Sequence, residues 1–288
     1  MTPFDTHISS ETQPHLDRLC EVIAAHGPMA VAFSGGVDSG LLAFVAHRVL
    51  GDGLRCVVGF SPSFARSESD HATEFLRRHG IPFERVETHE GDDPGYRANA
   101  GDRCYFCKDE LFVRMRDCVD AERYPVIAYG ANSDDAGDYR PGARAAVRHG
   151  VVAPLAEAGF GKDLVRRVAR QLRLDLWDKP AAPCLASRIP HFSEVTPEKL
   201  LQVERAEALV RASGFRECRV RHHGETARIE VPCDDLPRLR EPRTWSELEN
   251  GIAALGFKQV EWETEGLRSG RLNDALASPR SLDMDPGL

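Results

Sequence analysis

Short apolar runs alternate with amphipathic stretches over the first two thirds of the chain. Four runs bounded by glycine, proline or charged residues predict strands, and three amphipathic stretches predict helices. The predicted strands are Met29–Phe33, Arg55–Phe60, Phe83–Glu87 and Pro125–Gly130, and the predicted helices are Leu41–Leu50, Ser67–His79 and Lys162–Leu172. Strands that alternate with helices imply right-handed βαβ units. The pattern therefore predicts an α/β fold with a parallel sheet and helices on both faces.

The pattern changes around Pro180–Pro190, where prolines become frequent. We place a domain boundary there, which gives a first domain of residues 1–190 and a second of residues 191–276. Thr196–Pro197 is typical of a helix start, with an N-cap followed by proline at the first helical position. The following segments predict a small α+β domain: a helix to about Ser213, strands Glu217–His222 and Ala227–Val231, a helix Trp245–Leu255, and a strand Gln259–Thr264. Residues 277–288 are expected to form a disordered tail.

Composition narrows the function classes. The 288 residues include 45 acidic and 37 basic side chains, for a net charge of −8, which argues against a nonspecific nucleic-acid-binding surface. No apolar run approaches the roughly 18 residues needed to span a bilayer, and the first residues lack the pattern of a secretion signal. We therefore expect a cytoplasmic protein without nucleic-acid or membrane partners. Eight cysteines are too few for a disulfide scaffold and are expected to be mostly free, metal-bound or reactive.

The strongest local motif is SGGVDS at residues 34–39, between the first predicted strand and the first predicted helix. Gly35 and Gly36 allow a tight turn and close approach to an anion, and the N–H groups at the start of the helix point at the loop. Ser34 and Ser39 add hydroxyl donors. Asp38 would be repelled by a triphosphate unless a metal lay between them, so it is predicted to help hold Mg²⁺. The alternative is an ordinary helix start with capping side chains.

Three cysteines stand in unusual contexts. Cys104 and Cys107 form a CxxC pair in RCYFCK, which alone indicates a redox pair, half of a zinc site or two core thiols. Cys184 lies in PCLASRIP, four residues before Arg188, which can lower the pKa of the thiol or bind an anion. Its alternative is a buried structural cysteine. Core or incidental roles are expected for the other five: Cys20, Cys56, Cys118, Cys218 and Cys233.

Arg219 and Arg221 flank one residue of a predicted strand, so strand alternation places both guanidinium groups on one face. Two adjacent guanidinium groups can clamp a phosphate. The alternative is a solvated face in which Arg228 and Glu230 pair across the hairpin. Glu207, on the preceding predicted helix, either faces this site or faces solvent, and the solvent-facing position is favoured.

The strand–SGGVDS–helix context resembles the PP-loop ATP pyrophosphatases. A second segment at residues 130–142, GANSDDAGDYRPG, fits the later loop of that superfamily, and its alternative is a surface turn. Together with RCYFCK, DKPAAPCLASRIP and EGLRSGRLN at residues 265–273, these motifs occur in the order seen in the LarE-type ATP-dependent sulfur transferases, which serve nickel-pincer cofactor synthesis. The resemblance covers roughly residues 20 to 275.

The resemblance implies a reaction and a site. ATP with Mg²⁺ would adenylate carboxylates of a pyridinium mononucleotide, and the Cys184 thiolate would attack the adenylate. Site residues carried over by the motifs are Ser34, Gly35, Gly36, Asp38, Ser39 and Asn132 for ATP, and Arg188, Arg219 and Arg221 for the substrate phosphate. The partner would be a small-molecule nucleotide, and the assembly a closed homo-oligomer.

Two routes deliver sulfur in that family. In one, the Cβ–S bond of the cysteine breaks and dehydroalanine remains. In the other, three cysteines hold a 4Fe–4S cluster, for which Cys104, Cys107 and Cys184 would be the ligands here. The presence of all three favours the cluster route, and both routes use Cys184.

Two alternatives remain open. The first is another PP-loop adenylating enzyme, either an ammonia-dependent ligase or a tRNA thiolase. The second is a nucleotide-binding or iron–sulfur protein without catalysis. The sequence lacks the basic extension that a tRNA enzyme should carry. A nucleotide-binding protein without catalysis would not need the metal-binding aspartate that Asp38 is predicted to supply.

Overall fold

The computed structural model describes residues 8–137 and 141–268. The chain divides into two compact units, Met1–Tyr96 with Asp102–Pro183, and Arg97–Gly101 with Cys184–Leu288. The predicted boundary near residue 190 stays a prediction. Residues 138–140, the end of the EGLRSGRLN motif and the predicted tail lie outside the described residues.

The first unit is built on a four-stranded parallel sheet with the strand order β3–β2–β1–β4. Its strands are β1 (Met29–Ala32), β2 (Leu54–Phe60), β3 (Phe83–Glu87) and β4 (Val126–Tyr129). The chain moves outward from β1 to β3 and then returns to the other side of β1. The crevice between β1 and β4 is thus the switch point where parallel sheets bind ligands at their carboxyl edge.

The helices from Gln13 to Gln171 are α1 (Gln13–His26), α2 (Val37–Leu50), α3 (Arg66–Arg78), α4 (Pro94–Ala98), α5 (Arg103–Cys118), α6 (Pro141–Arg148), α7 (Pro154–Glu157) and α8 (Lys162–Gln171). Alternate residues of β1 show that helices cover both faces of the sheet. Met29 and Val31 belong to one core cluster with residues of α1, α2, α3 and α8. Ala30 belongs to another cluster with residues of α5 and α6. The predicted α/β fold is confirmed, whereas helices α1, α4, α5, α6 and α7 were not predicted.

The second unit contains a mixed three-stranded sheet of β5 (Arg219–His223), β6 (Thr226–Glu230) and β7 (Gln259–Trp262), in that order. Helices α9 (Pro197–Ala212), α10 (Leu236–Leu239) and α11 (Pro242–Ala253) accompany it. The Thr196 hydroxyl accepts a hydrogen bond from the Lys199 N–H, as its N-cap position predicts. Apolar residues of α9, α11, β5 and β6 form one core, so the predicted α+β pattern is confirmed.

A short strap, Arg97–Gly101, belongs to the second unit although it lies far from it in sequence. Asn99, fully buried and with a left-handed φ of 52°, donates from its side-chain amide to the carbonyl oxygens of Pro190 at 2.8 Å, Ser193 at 3.1 Å and Ile189 at 3.3 Å. One side chain thus serves three main-chain acceptors of the 189–193 segment. Within the described ranges, no helix combines the length and apolar character needed to cross a membrane.

Candidate active site

The SGGVDS segment forms the turn from β1 into α2, at the carboxyl edge of the parallel sheet. Gly35 adopts a left-handed φ of 71°, and a Cβ there would lie 2.8 Å from the Cβ of Ala72 on α3. Both facts restrict the position to glycine. The N–H groups of the first turn of α2 then surround the loop, which is the arrangement that binds phosphate.

Hydroxyl groups hold the loop in shape. The Oγ atoms of Ser34 and Ser39 lie 3.1 Å apart, and Ser39 Oγ also donates to the Gly36 carbonyl at 3.1 Å. Ser39 is buried, whereas Ser34 is exposed. The loop is therefore closed by its own two serines, one at each end.

The second predicted nucleotide segment packs directly on this loop. The Asn132 side-chain amide donates to Asp38 Oδ1 at 3.1 Å, and Asn132 is buried. A Cβ on Gly130 would lie 2.7 Å from the Ser39 nitrogen and 2.9 Å from its Cα. Because backbone atoms cannot move aside as a side chain can, only glycine fits at position 130. The structure thus brings the two predicted nucleotide segments together.

Asp38 lies in a charge environment that suits a cation. Burial raises the pKa of its carboxyl above the usual value, the hydrogen bond from Asn132 lowers it, and the nearby Asp135 raises it again. The carboxylates of Asp38 and Asp135 are partly buried and lie near each other, so their charges repel. A divalent cation between them and a triphosphate would remove that repulsion.

In the second unit, Arg188 connects the cysteine segment to a buried carboxylate. Its Nη1 donates to the Cys184 carbonyl at 3.2 Å and to Ser187 Oγ at 3.0 Å. Its Nε and Nη2 bind the two oxygens of Glu207 at 2.6 and 3.2 Å. Glu207 is fully buried, so the expectation that it faces solvent is wrong. It also accepts from Arg211 at 2.6 Å and from the Val220 N–H at 3.2 Å.

The predicted arginine pair on β5 joins the same cluster. Arg221 donates to the Ser187 carbonyl at 2.7 Å and to Glu230 Oε2 at 3.0 Å. Arg219 and Arg221 are both buried, so the alternative of a solvated strand face is wrong. Glu230 pairs across the hairpin with Arg221, while Arg228 pairs with Glu261 at 2.7 Å. We call Arg188, Arg211, Arg219, Arg221, Glu207 and Glu230 the arginine cluster.

Arg219 differs from the other arginines of the cluster because it forms no ion pair with any carboxylate in the described part of the chain. Its guanidinium donates to the Arg268 carbonyl at 3.5 Å. Burial lowers its pKa, and the neighbouring Arg188 and Arg221 lower it further. A buried cation that lacks a counter-charge is stabilised when an anion binds.

Comparison with known proteins gives the family. An asparagine synthase sequence profile matches residues 21–99. An uncharacterized protein of Synechocystis sp. is 42% identical over 246 residues, covering 85% of this chain and 92% of that one. The pyridinium-3,5-bisthiocarboxylic acid mononucleotide synthase of Lactiplantibacillus plantarum is 34% identical over 250 residues, covering 86% and 90%. The chain belongs to the LarE-type family of the PP-loop superfamily.

Membership of the LarE-type family makes the protein an ATP-dependent enzyme that inserts sulfur. More distant similarity reaches a glutamine-hydrolyzing GMP synthase polypeptide of Methanocella arvoryzae, 28% identical over 204 residues and 64% of each chain. Membership of the PP-loop superfamily accounts for the use of ATP.

The CxxC pair lies in the first two turns of α5, and residues three apart on a helix share a face. Lys108, the next residue, places its ammonium 4.5 Å from the ring centroid of Tyr129, at the end of β4. The CxxC pair thus lies near the carboxyl edge of the sheet. Cys104 and Cys107 belong to the first unit and Cys184 to the second. Over residues 8–137 and 141–268, no three side chains of metal-ligating type gather into a group that could hold a metal ion.

Burial makes three of the remaining cysteines poor nucleophiles. None of the eight cysteines forms a disulfide. Burial raises the pKa of Cys20 to about 11 and that of Cys218 to about 12, and it raises the pKa of Cys56 further still. These thiols stay protonated at neutral pH and are poor nucleophiles.

Sequence reasoning missed the buried role of Glu207 and the role of Lys179. Glu207 completes the apolar stripe of α9 at the 3–4 spacing set by Leu200, Val203 and Val210, and that spacing was the available signal. Lys179 stands in the DKPAAPC part of a motif and donates to the Gly35 carbonyl at 2.9 Å.

Proposed function

We propose that this protein adenylates the carboxylates of a pyridinium mononucleotide with ATP and converts them to thiocarboxylates, with the sulfur handled by Cys184. The observation that carries the proposal is the arginine cluster beside the cysteine. Arg188 and Arg221 bind the backbone of the Cys184–Ser187 turn and the cluster's carboxylates at the same time. An anion site and a thiol are therefore parts of one arrangement.

The charge of the cluster supports a phosphate ligand. Four guanidinium groups share two carboxylates, which leaves two positive charges for a ligand. A phosphomonoester carries about −1.5 to −2 at neutral pH and accepts several hydrogen bonds. The name of the Lactiplantibacillus plantarum relative describes a mononucleotide. In this proposal Arg219 and Arg221 bind the phosphate of the mononucleotide substrate. Arg188 connects the arginine cluster to the segment that carries the Cys184 thiol.

The nucleotide half of the reaction falls to the first unit. Ser34, Gly35, Gly36 and Ser39 would bind the terminal phosphates, and Asn132 would orient Asp38. Magnesium usually takes one or two protein carboxylates and completes its shell with phosphates and water. Asp38, with Asp135 nearby, fits that requirement, and the ion would neutralise charge on the departing pyrophosphate.

The proposed chemistry is an acyl transfer in two steps. A substrate carboxylate oxygen bonds to the α-phosphorus of ATP as the α–β bridge breaks, and pyrophosphate leaves. The Cys184 thiolate then attacks the acyl carbon, and AMP leaves with the electron pair of the C–O bond, which gives a thioester. Arg188 and Ser187 lie beside this cysteine and orient it.

We propose two routes for the sulfur. In the sacrificial route, loss of the Cα proton and cleavage of the Cβ–S bond of the Cys184 thioester leave dehydroalanine and release a thiocarboxylate. In the cluster route, Cys104, Cys107 and Cys184 would hold a 4Fe–4S group that supplies the sulfur in place of the Cys184 thiolate, so no thioester would form at Cys184. The shared helix face of Cys104 and Cys107 suits two such ligands.

The decisive assay supplies MgATP and a pyridinium dicarboxylate mononucleotide and measures pyrophosphate and the mass of the substrate. We expect pyrophosphate release and exchange of oxygen for sulfur. Cys184→Ala should keep pyrophosphate release and lose sulfur transfer, because the thiol acts only after adenylation. Cys233→Ala, an exposed cysteine of the same unit, is the matched control and should retain both. Absence of pyrophosphate release in the wild type overturns the proposal.

Two measurements separate the sulfur routes. Intact-protein mass after turnover should fall by about 34 Da if Cys184 becomes dehydroalanine. Anaerobic reconstitution with iron and sulfide should give an absorbance that Cys104→Ala abolishes if a cluster is used. Unchanged iron content in that variant rules out the three-cysteine site.

The second candidate is an ammonia-dependent ligase, which the similarity to the Methanocella arvoryzae GMP synthase favours. The same assay with ammonium in place of a sulfur source tests it, since an amide product would identify the ligase. We further propose a cytoplasmic location and a homo-oligomeric assembly, both of which rest on the family alone.

A further inference from the structure

Lys179 contacts the SGGVDS loop between β1 and α2. Its Nζ donates to the Gly35 carbonyl at 2.9 Å and lies 2.7 Å from Glu68 Oε2 on α3. The side chain of Lys179 is 16% exposed. A largely buried ammonium is therefore divided between one carboxylate and one carbonyl of the SGGVDS loop.

The segment that carries Lys179 is held in place without this ammonium. Arg166 on α8 donates to the carbonyls of Trp177 at 2.9 Å and Lys179 at 3.0 Å. Leu176 packs so closely on α2 that a Cβ at Gly40 would lie 2.5 Å from its Cδ1. Since these contacts already fix the segment, the ammonium contact acts on the loop.

The geometry of the Gly35–Gly36 peptide shows what that contact does. In a planar trans peptide the C=O of one residue and the N–H of the next point in opposite directions, and the structure contains no cis peptide among its described residues. The Gly35 carbonyl points at Lys179, so the Gly36 N–H points away from it. No acceptor for that N–H exists within residues 8–137 and 141–268.

We propose that Lys179 is a positioning residue for ATP: by holding the Gly35 carbonyl, its ammonium turns the Gly36 N–H toward the terminal phosphates. This inference rests on the proposed nucleotide role of the SGGVDS loop. Gly35 has the left-handed φ that allows this peptide orientation, and as a glycine it can also adopt other orientations. The lysine selects the one that presents a donor to the anion.

Glu68 contributes to this arrangement through its negative charge. It pairs with the Lys179 ammonium from α3, with a side chain 24% exposed. The ammonium cancels the charge of this carboxylate, which would otherwise repel a triphosphate. Two effects can therefore weaken ATP binding when Lys179 is removed, and they can be separated by changing Glu68 as well.

The test is equilibrium binding of MgATP and of AMP to Lys179→Met, Glu68→Gln and the double variant. Loss of one well-oriented hydrogen bond to a charged group should weaken MgATP binding by about 10- to 100-fold. AMP lacks the terminal phosphates, so its affinity should stay unchanged. Glu68→Gln should bind MgATP nearly as the wild type does, and the double variant should stay as weak as Lys179→Met. Lys179→Arg, which retains a donor, should recover part of the affinity.

Another ion pair provides the matched control. Arg78 on α3 and Asp175 of the same segment form a surface pair that bridges the same two elements without touching the loop. Asp175→Asn should leave the affinities for MgATP and AMP unchanged. If Lys179→Met fails to fold, Lys179→Arg and Glu68→Gln still report through the ratio of MgATP to AMP affinity.

Three results overturn the inference. Wild-type MgATP affinity in the double variant would mean that Lys179 only neutralises Glu68. Equal loss of MgATP and AMP affinity in Lys179→Met would mean that the residue is merely structural, and no loss of either would mean that it does not position ATP. A wild-type protein that binds MgATP but releases no pyrophosphate from it when the mononucleotide is added would refute the proposed function and leave this inference standing.

Discussion

The SGGVDS loop and the arginine cluster are the two proposed anion sites, and they are built from different groups. The loop uses backbone N–H groups, two serine hydroxyls and glycines that allow close approach. The cluster uses buried guanidinium groups that are partly neutralised by Glu207 and Glu230. The loop thus depends on shape and the cluster on charge balance.

Burial acts against the charge in both places. It raises the pKa of Asp38 beside the loop and lowers the pKa of Arg219 in the cluster. In each place burial disfavours the charged form of the group, and a ligand of opposite charge would offset that cost. The difference is that added volume should damage the loop, whereas a lost charge should damage the cluster.

The largest effect is expected from Glu207→Gln. The change keeps the side-chain volume but leaves buried Arg188 without its bidentate carboxylate, which should lower the free energy of unfolding by about 3–5 kcal/mol. Denaturant titration measures the change. Glu261→Gln, which removes the partner of half-exposed Arg228, is the control and should cost about 1 kcal/mol at most. Equal losses in both variants would contradict the view that charge balance in the cluster matters.

Gly130→Ala tests the dependence of the loop on shape. Its new Cβ would meet the backbone of Ser39 at 2.7 Å, and overpacking of this kind typically costs about 1–3 kcal/mol. MgATP affinity should fall together with the free energy of unfolding. At Gly91 a Cβ would meet nothing within 4 Å, so Gly91→Ala should change neither quantity. If Gly130→Ala binds MgATP normally, the close approach of the two segments is not needed.

The smallest effect is expected on the free energy of unfolding at acid pH, and it concerns His222, next to the arginine cluster. His222 lies on the face of β5 opposite Arg221. Its Nε2 is 3.0 Å from Gln202 Oε1, and its Nδ1 is buried without an acceptor or donor in the described structure. Burial, and after it the charge of Lys199, lowers the pKa of His222.

Because the unfolded state then binds the proton more readily, stability is full above the unfolded pKa of about 6.5 and falls as the pH drops below it. His222→Gln should flatten that fall by at most about 1.4 kcal/mol per pH unit. Denaturant titrations between pH 7 and pH 5 measure it, and identical slopes would show that another group sets the acid sensitivity.

Strands β1, β2 and β4 could be predicted almost to the residue, because buried parallel strands are continuous apolar runs. Helix α5 could not, since few of its residues are buried: Arg103, Phe112 and Met115. Its sequence therefore lacks an apolar stripe, and only its CxxC stood out.

The residues of the candidate site also differ in whether a local sequence motif predicts them. SGGVDS is a local motif whose geometry follows from two glycines and the helix after it, so sequence sufficed to propose it. The burial of Arg188 and Arg221 depends on Glu207 from α9 and Glu230 from β6, and no local sequence pattern predicts these pairings. The contact between Lys179 and Gly35 spans 144 positions and was equally invisible.

The strap at Arg97–Gly101 has a consequence for how the molecule is made. During synthesis, Asn99 leaves the ribosome long before Ile189, Pro190 and Ser193, the residues whose carbonyls it serves. The second unit therefore cannot finish folding as one uninterrupted stretch, and a fragment cut at Cys184 would lack five of its own residues. Gene fusions or truncations that treat the chain as two consecutive modules would sever a component that the later module needs.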